Sequence, residues 1–370
     1  MDHKNVTLSD IFHSLGSWQI KLIKVADLLC GTVIALFLPA IPTSLRPGKI
    51  SRILIIRPGG IGDAVFLLPF LRRLKDLGFL VDIVAERRNK DVFLSQQNLV
   101  GQVFCYDQGN DVREVFRRRY DAVIDTEQWH YFSAIFSYFI KARFKSGFSA
   151  RPLRSKLFSI PVSYDQGYEI DNFRRLFEAV VCTTSFEKIE MSGSFNVFEP
   201  LLSWAHQEVK SFQSVVLSLG VSTPQRRLTS EQICKIALYL KSKGYTIFIV
   251  GGADVACLSD QITHVLGTGV INFAGRLDLA HSSALIAAAG FFIGADSGLL
   301  HIASALGVRT VGIFGPANTK KWAPRGKNDK VVSLALPCSP CMRYSYFLPT
   351  CGQKFSCLRD IKLEDLCLPD

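Results

Sequence analysis

The sequence predicts an α/β protein built from two doubly wound parallel sheets with helices on both faces. Three observations carry this. Strand-like apolar runs alternate with helical patterns from Arg52 onward, the same alternation restarts at Val215, and Phe291 to Pro316 reads as one complete strand–turn–helix–strand unit. The chain has 370 residues, enough for two ordinary domains. With 48% apolar and 20% charged residues it can bury sizeable cores and does not resemble a disordered chain.

Residues 1–19 are polar and mixed and carry no fold signal. From Ile20 to Pro42 the chain turns apolar, with Lys21 and Lys24 near the start, Asp27 interrupting the run and Pro39 shortening the helix. The uncharged part, Leu28 to Pro42, falls short of the ~20 residues that span a bilayer. It therefore reads first as an interfacial or re-entrant helix with Lys21, Lys24 and Arg46 near lipid headgroups. A single span ranks second, and a core or partner-docking helix third. Pro39, Pro42 and Pro47 form a stiff linker that closes this first segment, 1–48.

Arg52 to Arg57 is a buried-type strand, followed by Pro58-Gly59-Gly60-Ile61-Gly62-Asp63 and a helix through Lys75. Strand signals recur at Val81–Ala85, Val103–Tyr106 and Ala122–Asp125, with a helix around Phe132 to Phe139. Residues 150–210 are less regular and end a first domain of 49–210. The aromatic residues from Trp129 to Phe148 read as packed core ahead of an acceptor cleft. The second domain, 211–370, opens with the strand Val215–Leu219. Thr229 or Ser230 caps the next helix, with Glu231 and Gln232 in its first turn. Tyr245–Val250, Val270–Phe273 and the helix Ala280–Ala289 lead to Phe291.

In the Phe291–Pro316 unit, Asp296, Ser297, Gly298 and His301 fall at a helix N-terminus, where free N–H groups and the helix dipole favour an anion. The plain alternative is that Asp296 or Ser297 caps the helix and His301 is a partly buried histidine. No dinucleotide glycine fingerprint follows a first strand, which argues against hydride transfer. The net charge of +11 suits an anionic partner. Basic residues are scattered apart from Arg117-Arg118-Arg119, and the aromatics look like core, so nucleic acid is not the expected partner. Of ten cysteines six stand singly. Cys338, Cys341, Cys351 and Cys357 offer one CxxC at irregular spacing and read as structural thiols ahead of a zinc knot. With no evident signal peptide, a reducing cytoplasmic setting is expected.

Two motifs carry a family resemblance. RPGGIGDAVFLLPFLRRLK at Arg57–Lys75 is similar to the N-terminal motif of glycosyltransferase family 9, the ADP-heptose:lipopolysaccharide heptosyltransferases and their relatives. GADSGLLHIASALGVRTVGIFGP resembles that family's C-terminal donor motif. The resemblance runs from about Arg52 to the C-terminus and implies a GT-B fold, an N-terminal Rossmann-like acceptor domain (49–210) and a C-terminal Rossmann-like nucleotide-sugar donor domain (211–370) facing a cleft, with the apolar helix outside it. It implies that Asp63 is the general base on the acceptor hydroxyl, with Gly59, Gly60 and Gly62 letting a sugar approach the backbone. Asp296, Ser297, Gly298 and His301 would bind the nucleotide diphosphate and sugar, Ser297 standing where the family usually has Thr. Arg226 would take the place of the lysine in the family's Lys-x-Trp-Pro pattern, whose Trp-Pro pair is lost here. Asp254 would match an acidic ribose-contacting position.

The implied activity is inverting transfer of a heptose, or a related sugar, from an ADP-sugar to a lipopolysaccharide core or other lipid-linked glycan. No metal and no cofactor are expected. The implied setting is the cytoplasmic side of the inner membrane, with peripheral attachment to its inner-leaflet surface. The alternatives are a GT-B transferase using another nucleotide sugar, and a non-catalytic binder of nucleotide or glycan.

Overall fold

A computed structural model describes residues 17–43, 49–181, 186, 189–342, 351, 353–366 and 368. Arg46, Pro47 and the side chain of Lys21 lie outside the described residues. The chain forms two compact units. The first runs to Gly59 and from Leu67 to Ile189; the second takes Gly60–Phe66, Glu190 to residue 342 and the described residues after 350.

The first unit holds β1 (Arg52–Arg57), β2 (Leu80–Ala85), β3 (Val103–Cys105), β4 (Arg119–Asp125), β5 (Lys141–Phe148) and β6 (Ile160–Val162). They form one parallel sheet in the order β3-β2-β1-β4-β5-β6, with Ile53 opposite both Val81 and Ala122. The run RILIIR is buried at every position after Arg52, as a parallel strand covered on both faces must be. The second unit repeats the arrangement with β7 (Ser214–Ser218), β8 (Thr246–Val250), β9 (Val270–Asn272), β10 (Phe291–Ala295), β11 (Thr310–Ile313) and β12 (Asp329–Val332). Their order is β12-β11-β10-β7-β8-β9, again parallel. Val215, Leu217, Ile247, Ile249 and Ile293 form its core with Ile233 and Leu240 of a covering helix, all fully buried. Each such side chain contributes about 1.5–3 kcal/mol. In both sheets the strand order reverses between the first and fourth strands, β1 beside β4 and β7 beside β10. The carboxyl ends of those pairs are where an open α/β sheet leaves a ligand crevice.

The apolar N-terminal segment is one helix, α1 (Ser17–Phe37), ending just before the Leu38-Pro39 pair, whose proline disfavours helical geometry in the residue before it. No helix among the described residues is long and apolar enough to cross a membrane. Its inner side buries Ala35 against Tyr131, Ala134, Leu157 and Phe158 of the first unit. Its outer side exposes Leu22, Leu29, Val33, Leu36 and Phe37 at helical spacing.

Three expectations shift. The helix expected through Lys75 breaks into α2 (Ile61–Val65) and a helix Leu68–Asp76, whose first turn takes Pro69. The division between units falls at Ile189/Glu190 rather than at 210. The helix Glu199–Glu208 belongs to the second unit because Trp204 meets Phe273 and His281 edge-on there. Strands β5 and β6 lie within or next to the stretch read as irregular. The sequence of β5, KARFKSGF, interleaves cations that mask its apolar face.

Candidate functional site

The polar constellation of the second unit grows from the carboxyl ends of β7 and β10. The first unit's helix α3 spans Tyr131–Phe139; after β10 the chain enters α4 (Gly298–Leu306), which ends at Gly307 in the left-handed conformation, φ 78°. Ser297 stands at the N-cap position, yet its side chain makes no capping bond. Asp296 is 3% exposed, with Oδ2 3.1 Å from Arg226 Nη1 and Oδ1 3.7 Å from His301 Nε2. The Arg226 contact is an ion pair whose angles fall short of a hydrogen bond. Burial works against the Asp296 carboxylate, but Arg226 and His301 outweigh it and hold its pKa below the ordinary value.

Ser297 Oγ and His301 Nδ1 at the start of α4, Ser218 Oγ at the end of β7 opposite Gly294, and Gln225 Oε1 beside Arg226 in the chain are buried without a hydrogen-bond partner among the described residues. Buried polar atoms left unsatisfied are costly. Four of them near one helix N-terminus and one arginine suit a polar, anionic ligand.

The N-terminal glycine turn joins this constellation. Although Gly60–Phe66 is remote in sequence, it belongs to the second unit, and α2 packs against α4. A Cβ on Gly62 would lie 2.5 Å from His301 Cδ2, and one on Gly298 would lie 2.6 Å from Ile61 Cβ. Only glycine at both places lets the two segments approach this closely. Asp63 lies in the first turn of α2, whose N-cap position is Gly60, so the carboxylate does not cap the helix from outside. Phe66 sits between two rings, 4.7 Å from that of His301 and 5.9 Å from that of Trp322. Sequence reasoning missed Phe66, Trp322, Ser218 and Gln225, and no local pattern marks them. Asp254 is not drawn into the cluster: its carboxylate, 56% exposed, pairs with Arg227 at 2.6 Å.

The carboxyl edge of the first unit's sheet carries a separate, buried charge network. Gly59 donates its N–H to Glu86 Oε2 at 2.8 Å. Arg57, at the end of β1, donates to the carbonyls of Pro58 (2.7 Å) and Thr126 (2.9 Å), and its Nη2 is 3.7 Å from Glu127 Oε2. Arg154, wholly buried, bridges Asp125 Oδ2 and the Glu127 carbonyl, each at 2.6 Å. Burial pushes Asp125 up to about 6. Burial likewise opposes the charge on Glu127, but His130 and Arg57 overcome it and bring that group down to about 2. Trp129 and Tyr164 meet edge-on beside this network; of the aromatic stretch read as packed core, Tyr131 and Phe148 are buried, whereas Phe132 and Phe139 are exposed and the others half-buried.

Cys338, Cys341, Cys351 and Cys357 are free thiols of the second unit. Burial, then the neighbouring thiols, pushes Cys357 up to about 11. Among the described residues no group of three or more His, Cys, Asp or Glu converges as a metal-ligand set.

The model of glycosyltransferase family 9 (heptosyltransferase) matches residues 111–350, a span that includes Arg226, Asp254 and Asp296–His301 but not Asp63. Lipooligosaccharide heptosyltransferase 2 of Campylobacter jejuni is 31% identical over 144 residues, 38% of this chain and 44% of that protein. Lipopolysaccharide heptosyltransferase 2 of Escherichia coli is 29% identical over 115 residues, 30% of this chain and 33% of that protein. The chain thus matches less than half the length of these curated relatives. Among solved structures, E. coli ADP-heptose lps heptosyltransferase II aligns with a TM-score of 0.64 at 20% identity, covering 80% of this chain and 95% of that one. E. coli heptosyltransferase WaaC with ADP-2-deoxy-2-fluoro heptose aligns at 0.63 and 18%, covering 76% and 92%. At these identities the likeness shows the GT-B fold.

Proposed function

Because the chain belongs to glycosyltransferase family 9, the heptosyltransferases, we propose that it moves a heptose or related sugar from an ADP-sugar to a lipid-linked glycan such as a lipopolysaccharide core. The observation that carries this reading is the contact of the two family motifs within one unit, Gly62 against His301. Asp63 is the next residue along the chain after Gly62.

In this reading the acceptor hydroxyl attacks the anomeric carbon while Asp63 takes its proton. The bond from that carbon to the diphosphate breaks, the electron pair leaves with the nucleotide, and direct displacement inverts the centre. Arg226 and the N–H groups at the start of α4 hold the charge that develops on the leaving diphosphate, so the step needs no metal. Ser297 Oγ and His301 Nδ1, both without partners among the described residues, donate to or orient the donor. Gly59 and Gly60 leave room at the turn, and Asp254 with Arg227 flanks the nucleotide side. One observation favours a different nucleotide sugar as a second reading. Arg226 replaces the family's lysine, the Trp-Pro pair is absent, and its guanidinium is engaged with Asp296.

The exposed apolar side of α1 supports peripheral attachment to the cytoplasmic face of the inner membrane, where a lipid-linked acceptor resides. Incubating the full chain with ADP-heptose and a lipid A–core acceptor tests the reading by the mass gained by the acceptor. Donor bound without transfer or hydrolysis would contradict it.

A further inference from the structure

We infer that Asp27 is a positioning residue for sugar transfer: through it α1 holds the loop 126–130 at the carboxyl end of β4. This rests on the reading that the first unit receives the acceptor, and it extends that reading to a helix outside the span that the family model matches.

Asp27 interrupts an apolar helix, yet it is only 3% exposed. Its carboxylate accepts the N–H of Phe132 at 2.8 Å and of Tyr131 at 3.2 Å, and pairs with His130 Nδ1 at 3.0 Å. These are first-turn groups of α3, whose own N-cap residue, His130, supplies no side-chain cap. A helix start that lacks a local cap is thus closed by a carboxylate from α1. Burying a carboxylate is costly unless its partners are in place, whereas docking alone needs only the apolar contacts of Leu28, Ala35 and Leu38.

What the carboxylate fixes lies at the strand-order reversal. The loop 126–130 leaves β4 beside the end of β1, where an open sheet presents its ligand crevice. From His130 the contacts run inward. Arg154 Nε donates to the His130 carbonyl at 3.1 Å, and Arg154 also holds Asp125 and the Glu127 carbonyl. Glu127 faces Arg57, which donates to the carbonyls of Thr126 and Pro58. One buried carboxylate on α1 is therefore linked by consecutive contacts to the turn at the end of β1. Lys24, one turn earlier on α1, lies in the same field. Burial and Arg88 disfavour its charge, and Glu127 favours it.

The test is steady-state transfer by the full chain, with the KM for lipid A–core acceptor and for ADP-heptose measured separately. Asp27→Ala is expected to raise the acceptor KM about tenfold or more, with the donor KM within about twofold. Asp27→Asn keeps an oxygen for the Phe132 N–H but loses the charge facing His130, and is expected to fall between. Leu28→Ala removes apolar contact from the same helix and is expected to lower the melting temperature while leaving acceptor KM unchanged. Should Asp27→Ala not fold, Asp27→Asn carries the comparison. An unchanged acceptor KM in the Asp27 variants overturns the proposal, as does an equal loss in every parameter. A wild type that transfers nothing would instead sink the functional reading.

Discussion

Gly62 and His301 are in contact: a Cβ at position 62 would come within 2.5 Å of His301 Cδ2 and 3.2 Å of Nε2. The imidazole that flanks Asp296 therefore has its place set by a residue from the opposite end of the sequence. Gly62→Ala must displace the ring or α2, at about 1–3 kcal/mol for overpacking. Because the displacement falls between Asp63 and Asp296, kcat/KM is expected to drop about tenfold or more. At Gly60 the nearest atom to a Cβ is Asp63 Oδ2 at 3.5 Å, so Gly60→Ala is the milder comparison. Transfer rates and melting curves of the two variants check this.

Arg226→Ala leaves Asp296 buried without its guanidinium. Breaking a buried pair typically costs about 3–5 kcal/mol, and the conservative Arg226→Lys restores the charge without the planar fork. Donor affinity, measured calorimetrically, should fall most in the Ala variant. A pH effect follows. The folded-state pKa of Asp296 is depressed, so its contribution to stability is present above the unfolded value near 3.9 and is lost as pH falls through the folded value. Removing Arg226 lets burial raise the folded-state pKa of Asp296, so the melting temperature of Arg226→Ala should fall less on acidification than that of the wild type.

The turn from Asp296 to His301 was legible in the sequence because it is local. An apolar strand, a polar turn and a helical repeat sit in one continuous stretch, and Thr229 with Gln232 forms the expected capping box nearby. The contact of Gly62 with His301 was not legible, since it depends on how two remote segments pack. Asp27 shows the same limit from the other side. Read along the chain, it interrupts an apolar run; in the fold it closes a helix 105 residues away. Trp204 likewise gives no local sign that its helix belongs to the second unit.

His130 provides a second pH signature. Burial opposes its charge, but the Asp27 hydrogen bond and Glu127 outweigh it, and its pKa is raised. A raised histidine stabilises the folded state below its unfolded value, about 6.5, and loses that contribution as pH rises through the folded value. Protection of the α1 amides from hydrogen exchange, corrected for intrinsic rate, should weaken above that range. Asp27→Asn should flatten the dependence.

The outer side of α1 gives a lipid prediction. Leu29 is 61% and Phe37 81% exposed. Replacing both with Ser should weaken binding to anionic vesicles about tenfold or more, since each apolar side chain contributes on the order of 1 kcal/mol on entering the lipid boundary. Donor affinity should not change. Vesicle flotation and calorimetry with ADP separate the two effects.

The most direct measurement compares wild type and Asp63→Asn for transfer from ADP-heptose to a lipid A–core acceptor, with ADP affinity measured on the same samples. If Asp63 takes the acceptor proton, transfer falls about 100-fold or more while ADP binds as before. Transfer at the wild-type rate by Asp63→Asn would contradict the account.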